Sequence, residues 1–219
     1  MTPTTREVKD KMTGYLEADK KAFHAAMAKA QSHIDAATAE IQKLRAELKT
    51  QTTEAKDKTI ARVDELTRDL DATRKGQQAD IEAHLKKLHT DIDSLNAELK
   101  HATAQGKVEV EAKARAVREE YDAARKVLTA SLDAELAEWK DRIGAAVDLA
   151  AGKKADAKTA VKAKIADLKA KHEAAQRKLH ALKHADMAAF DELHHGVRTA
   201  RAAVKTALQH AHADIAAAL

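Results

Sequence analysis

Proline occurs only once in this chain, at Pro3, so no proline interrupts a helix in the rest of the sequence. The remaining residues are rich in Ala, Lys, Glu, Leu, Arg and Gln, which have the highest helix propensities. A long chain of this composition with a helical apolar period is typical of a coiled coil or a long helix. The sequence therefore predicts an all-α protein.

Apolar residues recur about once per helical turn, at a mean spacing of roughly 3.6 residues. The last third shows the pattern as Val161, Ile165, Leu168, His172, Ala175, Leu179 and Leu182. We call such a row of residues an apolar stripe. It is narrow, which suits a thin bundle of two or three helices better than a globular helical domain. A spacing near 3.6, rather than the 3.5 of a strict heptad, predicts nearly straight helices.

Glycines are the strongest breakers in the sequence, and two of them divide it into three similar lengths. Gly76 and Gly152 stand where a helix end favours a left-handed backbone. Each piece would be ~100–110 Å long as a helix. The sequence thus predicts an elongated, coiled-coil-like antiparallel bundle of three very long amphipathic helices. This single domain covers 1–219, with helical segments at about 4–75, 77–151 and 153–219.

A second architecture follows from Gly106, which lies near the midpoint of the chain. A turn there gives a single long helical hairpin with arms of ~150 Å. In the three-helix alternative, Gly106 marks a kink or turn within the middle segment. A glycine inside a helix costs only ~1 kcal/mol, so glycine position alone does not choose between these architectures.

The composition argues against an enzyme. Aromatic residues, which supply the largest buried areas in globular cores, make up only 2 % of the chain. The single tryptophan, Trp139, lies on the apolar stripe and is interpreted as a core residue. The sequence contains no phosphate-binding glycine loop, no Gly-x-Ser-x-Gly and no zinc spacing. We therefore predict no catalytic residues and no cofactor.

Twelve histidines raise the question of a metal site. His180 and His184 are four residues apart on one helical face, but such surface pairs are commonly unmetallated. The two Glu-x-x-His pairs, Glu98/His101 and Glu192/His195, have the local spacing of di-iron bundles. Their histidines point away from the apolar stripe, and we expect them to be solvated. We predict no metal site and interpret His172, on the stripe, as a packed residue.

Targeting signals are also lacking in the sequence as given. It contains no cysteine, and its first residues form no apolar segment of the kind found in signal peptides. No apolar run approaches the ~18 residues of a membrane span. The expectation is a cytoplasmic protein, with peripheral membrane association as the alternative.

Charge is unevenly distributed along the chain. Residues 1–75 carry 15 basic and 13 acidic side chains, residues 76–152 carry 11 and 15, and residues 153–219 carry 13 and 7. These counts give net charges of +2, −4 and +6, which sum to the +4 of the whole chain. An acidic middle segment packed between two basic ones explains the pattern. Alternatively, the last third faces an anionic surface.

The most basic stretch, residues 153–184, has ten Lys or Arg against three acids. Lysines lie on both sides of its apolar stripe, with the acids nearer the polar face. This placement, over about 30 residues, resembles the amphipathic helices of exchangeable apolipoproteins, without their proline-punctuated repeats. The resemblance implies reversible binding to lipid surfaces. The candidate contact residues are Lys153, Lys154, Lys158, Lys162, Lys164, Lys169, Lys171, Arg177 and Lys178.

Three functions remain open at this point. The first is a non-catalytic structural or scaffold protein that associates with itself, with a dimer as the first expectation, or with a protein partner. The second is a peripheral protein that binds an anionic membrane or lipid surface through the basic strip 153–184. The third and weakest is nucleic-acid binding or stress protection. Nucleic-acid binding is disfavoured by the net charge of only +4 and the scarcity of aromatic residues for base stacking.

Overall fold

A computed structural model describes residues 5–48, 50, 53–151 and 155–217. Within these ranges, side chains are described for 17–48, 50, 55–56, 58–145, 147 and 162–211. The described residues contain no strand. The prediction of an all-α protein is confirmed. The helices are α1 (Thr5–Glu47), α2 (Thr53–His101), α3 (Ala104–Ala151), α4 (Ala155–Lys183) and α5 (Met187–Ala217).

The number of helices differs from the prediction because the chain breaks where glycine is absent. The expected turn at Gly76 is wrong, since α2 continues through this residue without a positive φ. The predicted segment 4–75 is interrupted between Glu47 and Thr53, and 153–219 is interrupted between Lys183 and Met187. Gly152, the other predicted turn, lies outside the described residues.

Side-chain caps explain two of these helix starts. The Gly106 N–H donates to the Thr103 hydroxyl (3.4 Å), and the Ala189 N–H donates to the Asp186 carboxylate (2.8 Å). A side-chain oxygen three residues before such an N–H is the usual N-cap arrangement. Gly106 itself therefore lies inside the first turn of α3. The break between α2 and α3 falls at Ala102 and Thr103, not at the glycine.

The apolar stripe predicted from the sequence faces the interior. In α4 its described members Ile165, Leu168, His172, Ala175, Leu179 and Leu182 are all buried. In α3 the predicted positions Val117, Tyr121, Ala124, Leu128, Leu132, Leu136, Trp139 and Ile143 are buried, and Val147 is half-buried. The period of about 3.6 residues thus identified the packed face of α3 and α4.

The chain divides into two compact units, with the boundary inside α3. Unit 1, residues 1–125, contains α1, α2 and the first part of α3. Unit 2, residues 126–219, contains the rest of α3 with α4 and α5. The predicted single domain, 1–219, therefore includes both units.

Within unit 1, α1 and α2 form an antiparallel hairpin. Near its turn, Ile34, Ile41, Leu66 and Leu70 make a buried cluster, with Ala37, Leu44 and Val63 packed against it. Arg62 of α2 donates to Glu40 of α1 across the same part of the hairpin (3.3 Å). No helix in the described part of the chain is long and apolar enough to cross a membrane.

Candidate functional site

The basic strip predicted from the sequence lies on α4. Lys162, Lys164, Lys169, Arg177 and Lys178 are exposed, and Lys171 is half-buried. The side chain of Lys158 is not among those described, and Lys153 and Lys154 lie outside the described residues. The exposed positions leave a row of basic side chains at the surface of unit 2.

The strip divides into two edges on either side of the buried stripe. A groove of about 760 Å³ between α4 and α5 is lined by Lys164 and Lys171, so these residues lie on the α5 side. Lys178 lies on the same edge, close to Gly196 of α5. Its ammonium is 3.5 Å from the position that a Cβ would occupy at residue 196. The helical spacing puts Lys162 and Lys169 on the opposite edge.

Acidic neighbours on α4 reduce the charge of this strip. Lys171 pairs with Asp167 at 2.5 Å, and Arg177 lies 3.9 Å from Glu173. Both pairs are four residues apart and exposed, an arrangement that contributes a few tenths of a kcal/mol, about 0.3–0.5.

The stripe between the two edges is covered by the rest of unit 2. Leu168 and Leu182 are completely buried, and α4 packs extensively against α5. A membrane therefore has no access to these side chains while α4 keeps its place.

A polar layer lies in the interior of unit 2. His172 of α4 is only 5 % exposed, and its Nε2 lies 2.7 Å from the Leu136 carbonyl of α3. A carbonyl only accepts hydrogen bonds, so Nε2 carries the proton and Nδ1 does not in the neutral ring. Glu135 is the residue before Leu136 in α3. Its buried carboxylate accepts a hydrogen bond from the Arg201 guanidinium of α5. The layer thus involves all three helices of the unit.

A second polar layer lies in unit 1, around Glu120 of α3. Its carboxylate is 7 % exposed and is reached by bases of the other two helices. From α1, the Lys20 Nζ lies 3.3 Å and the His24 Nε2 3.1 Å from its oxygens. From α2, the His84 Nε2 lies 3.3 Å away. One carboxylate therefore connects the three helices of this unit.

The titration of Glu120 reflects this arrangement. Burial raises the pKa of the carboxyl, but hydrogen bonds from Lys20, His84 and His24 outweigh burial and hold the pKa below its ordinary value. The group is therefore ionised at neutral pH. A buried charge of this kind stabilises a fold only while its partners stay in place.

The histidines of the pairs considered in the sequence lie at the surface. His180 and His184 have ring centroids 4.7 Å apart, and both are exposed. His101 and His195 are also exposed, in agreement with the prediction. Among the described residues, no group of three or more His, Cys, Asp or Glu is arranged to hold a metal ion. Around Glu120, the Lys20 ammonium adds a positive charge that opposes a cation.

The two buried carboxylates were missed from the sequence, although a signal exists. Glu120 follows Val117 by three residues and precedes Ala124 by four, which places it on the packed face. Glu135 has the same relation to Leu132 and Trp139. A carboxylate at such a position needs a buried base, and that base comes from another helix.

Comparison with known proteins gives no relative for this chain. No family model, curated protein or solved structure matches it. Its function is therefore argued from its own residues.

Proposed function

We propose that the protein is a non-catalytic structural or scaffold protein. The observation that carries this proposal is the distribution of apolar side chains. Among the described residues, Ile60 and Val108 are the large apolar side chains that stay exposed. The long helices therefore present mostly charged faces, and the interior is used for packing and for two polar layers.

Self-association through charged faces is the form of scaffolding that these surfaces favour. Residues 76–152 have a net charge of −4 and residues 153–219 a net charge of +6, so two copies offer each other complementary surfaces. A dimer held in this way contains few exposed apolar contacts. Its stability should depend strongly on salt, because surface charges are screened at high ionic strength.

Sedimentation velocity over a range of protein concentrations tests the proposal. We expect a dimer at low salt that dissociates at ~0.5 M salt, where the Debye length falls to a few ångströms. Reversing the exposed charges Lys162→Glu and Lys169→Glu should weaken the dimer. A species that stays monomeric at every concentration and salt level excludes self-association.

A second candidate function is peripheral binding to an anionic lipid surface, with the protein in the cytoplasm. The exposed lysines of α4 favour it, since Lys162 and Lys169 lie on one edge and Lys164 and Lys178 on the other. A basic residue near an anionic leaflet contributes about 1 kcal/mol of attraction. Flotation with phosphatidylserine vesicles tests this candidate, and phosphatidylcholine vesicles serve as the control.

A further inference from the structure

Two chemically different walls form the groove between α4 and α5. On the α5 side, the exposed residues Ala202, Ala203 and Thr206 have short side chains. On the α4 side, Lys164 and Lys171 border the groove. A neighbouring helix can approach short side chains closely, because the distance between helix axes depends on the residues at the contact. The groove therefore has room for one more helix and offers it cations.

The lysines of the α4 wall follow a regular spacing. Lys164, Lys171 and Lys178 are seven residues apart, or ~10.5 Å along the helix, so the row is ~21 Å long. Asp167, which pairs with Lys171, reduces the charge of this row. Glu192 also reduces it, since its helical position places it on the same side of α5. Three lysines against two acids leave the groove positive, so the helix that fits it is acidic.

The acidic counterpart on this chain is a stretch of α2, residues 88–99. These twelve residues contain three acids and no Lys or Arg. Asp93 and Glu98 are exposed and lie on opposite edges of the outer face of α2, away from the buried Ile92. The outer face between these edges carries short exposed side chains, at Thr90, Ser94 and Ala97. The stretch thus combines a flat face with negative edges, which complements the groove in shape and charge.

We propose that the groove between α4 and α5 of one copy binds residues 88–99 of α2 from a second copy. The inference rests on the proposed self-association and assigns it to two specific surfaces. Twelve helical residues are ~18 Å long, which matches the ~21 Å row of lysines. Whichever way the entering helix runs, one of its acidic edges faces that row. Its short side chains pack on those of α5, so the contact combines close packing with charge attraction.

Each copy carries both surfaces, and the two surfaces differ from each other. A contact between them either forms twice, across a two-fold axis, or continues from copy to copy. Both assemblies depend on the groove. One helix in a groove buries less than the ~800 Å² per partner of a standard interface, so we expect a dissociation constant of about micromolar order.

Charge reversal in the groove is the first test, with the dissociation constant measured by sedimentation equilibrium at about 0.05 M salt. Lys164→Glu with Lys171→Glu should raise this constant by about tenfold or more, because attractive pairs become repulsive. Lys162→Glu with Lys169→Glu makes the same change in net charge on the other edge of α4, and should raise it by about threefold at most. Equal effects of the two pairs overturn the groove contact, since net charge alone then governs association.

Reversal on both surfaces identifies the occupant. Asp93→Lys with Glu98→Lys should weaken association as much as the groove variant does. When the two variants are mixed, every acidic surface again finds a basic one, and the dissociation constant of the mixed species should return to within about threefold of the wild type. Mixed association that is no stronger than that of either variant alone overturns the assignment of α2.

A variant without a change of charge covers the case in which the reversed lysines disturb α4. Ala203 is exposed, and Ala203→Trp fills the groove with a large ring, which should raise the dissociation constant by about tenfold. Ala170→Trp makes the same change at an exposed position on the outer face of α4 and should leave the constant within about twofold of the wild type. Thermal unfolding followed by circular dichroism shows that both variants keep the fold.

The outcomes separate the groove contact from self-association in general. A wild type that stays monomeric excludes self-association and the groove contact with it. A wild type that associates no better than Ala203→Trp leaves self-association in place and overturns the groove contact. Loss of association in Ala203→Trp but not in Ala170→Trp, together with recovery in the mixture of charge variants, supports both.

Discussion

The rings of Phe23 and His84 stack face to face, with centroids 3.9 Å apart and planes inclined by 15°. Phe23 belongs to α1 and His84 to α2, and the same histidine donates toward Glu120 of α3. Stacking restricts the imidazole to the orientation in which its Nε2 reaches the carboxylate. The apolar packing of α1 on α2 and the polar layer of unit 1 therefore depend on each other.

Replacing Phe23 tests this dependence. Phe23→Leu keeps an apolar side chain but loses the stacked ring, and it should lower the free energy of unfolding by about 1–2 kcal/mol. In a His84→Gln background the same change should cost less, by a coupling of about 0.5–1.5 kcal/mol. Urea unfolding of the four proteins gives the double-mutant cycle. Additive effects show that the two rings act independently.

The acid stability of the protein should depend on Glu120. Its folded pKa lies below the ordinary value, so its contribution is fully present above the unfolded pKa and is lost as pH falls through the folded pKa. At neutral pH, Glu120→Gln should lower the free energy of unfolding by roughly 1–3 kcal/mol. The difference from the wild type should shrink as pH falls below the ordinary range of a carboxyl and through the folded pKa of Glu120. Urea unfolding at a series of pH values checks this.

The control for this experiment is Glu119→Gln. Glu119 is the exposed neighbour of Glu120, and the change in formal charge is the same. It should change the free energy of unfolding by less than about 0.5 kcal/mol at any pH. If both variants behave alike, net charge rather than the polar layer governs acid stability.

The sequence predicted burial well because burial follows a local period. Positions such as Leu128, Leu132 and Leu136 recur once per turn, so they lie on one face of the helix, and that face packs against the interior. Which other helix packs against it is not a local property. The sequence did not predict that Glu120 meets bases from α1 and α2, because residues 24, 84 and 120 come together only after the chain has folded back twice.

Helix ends were predicted less well for a similar reason. The prediction placed helix ends at glycines. An isolated glycine destabilises a helix only slightly, and the helix continues through it when the residues before and after it in the chain are packed. Gly76 is such a case. The actual breaks use Thr103 and Asp186 as N-caps. Such residues are common on helix surfaces, so they mark an end only when the tertiary structure turns the chain there.

Gly76 gives a prediction of its own. A Cβ at this position meets no atom within 4 Å, and the residue is exposed in the interior of α2. Gly76→Ala should therefore raise the free energy of unfolding by about 0.5–1 kcal/mol, because alanine loses less backbone entropy on folding. Thermal unfolding should show an increase of a few degrees, about 2–4 °C. Gly106→Ala, in the first turn of α3, should gain less, and a loss at Gly76 contradicts the continuous helix.

Leu168 tests how firmly α4 belongs to unit 2. Its side chain is completely buried, whereas the next residue, Lys169, is exposed. Leu168→Ala removes buried methyl groups and leaves a cavity, which costs about 2–5 kcal/mol in a packed interior. The emission of Trp139, buried in the same unit, should report the loss as a lower urea midpoint. Lys169→Ala should change the free energy of unfolding by less than about 0.5 kcal/mol. An equal and small effect of both changes indicates that the stripe of α4 is not packed in solution.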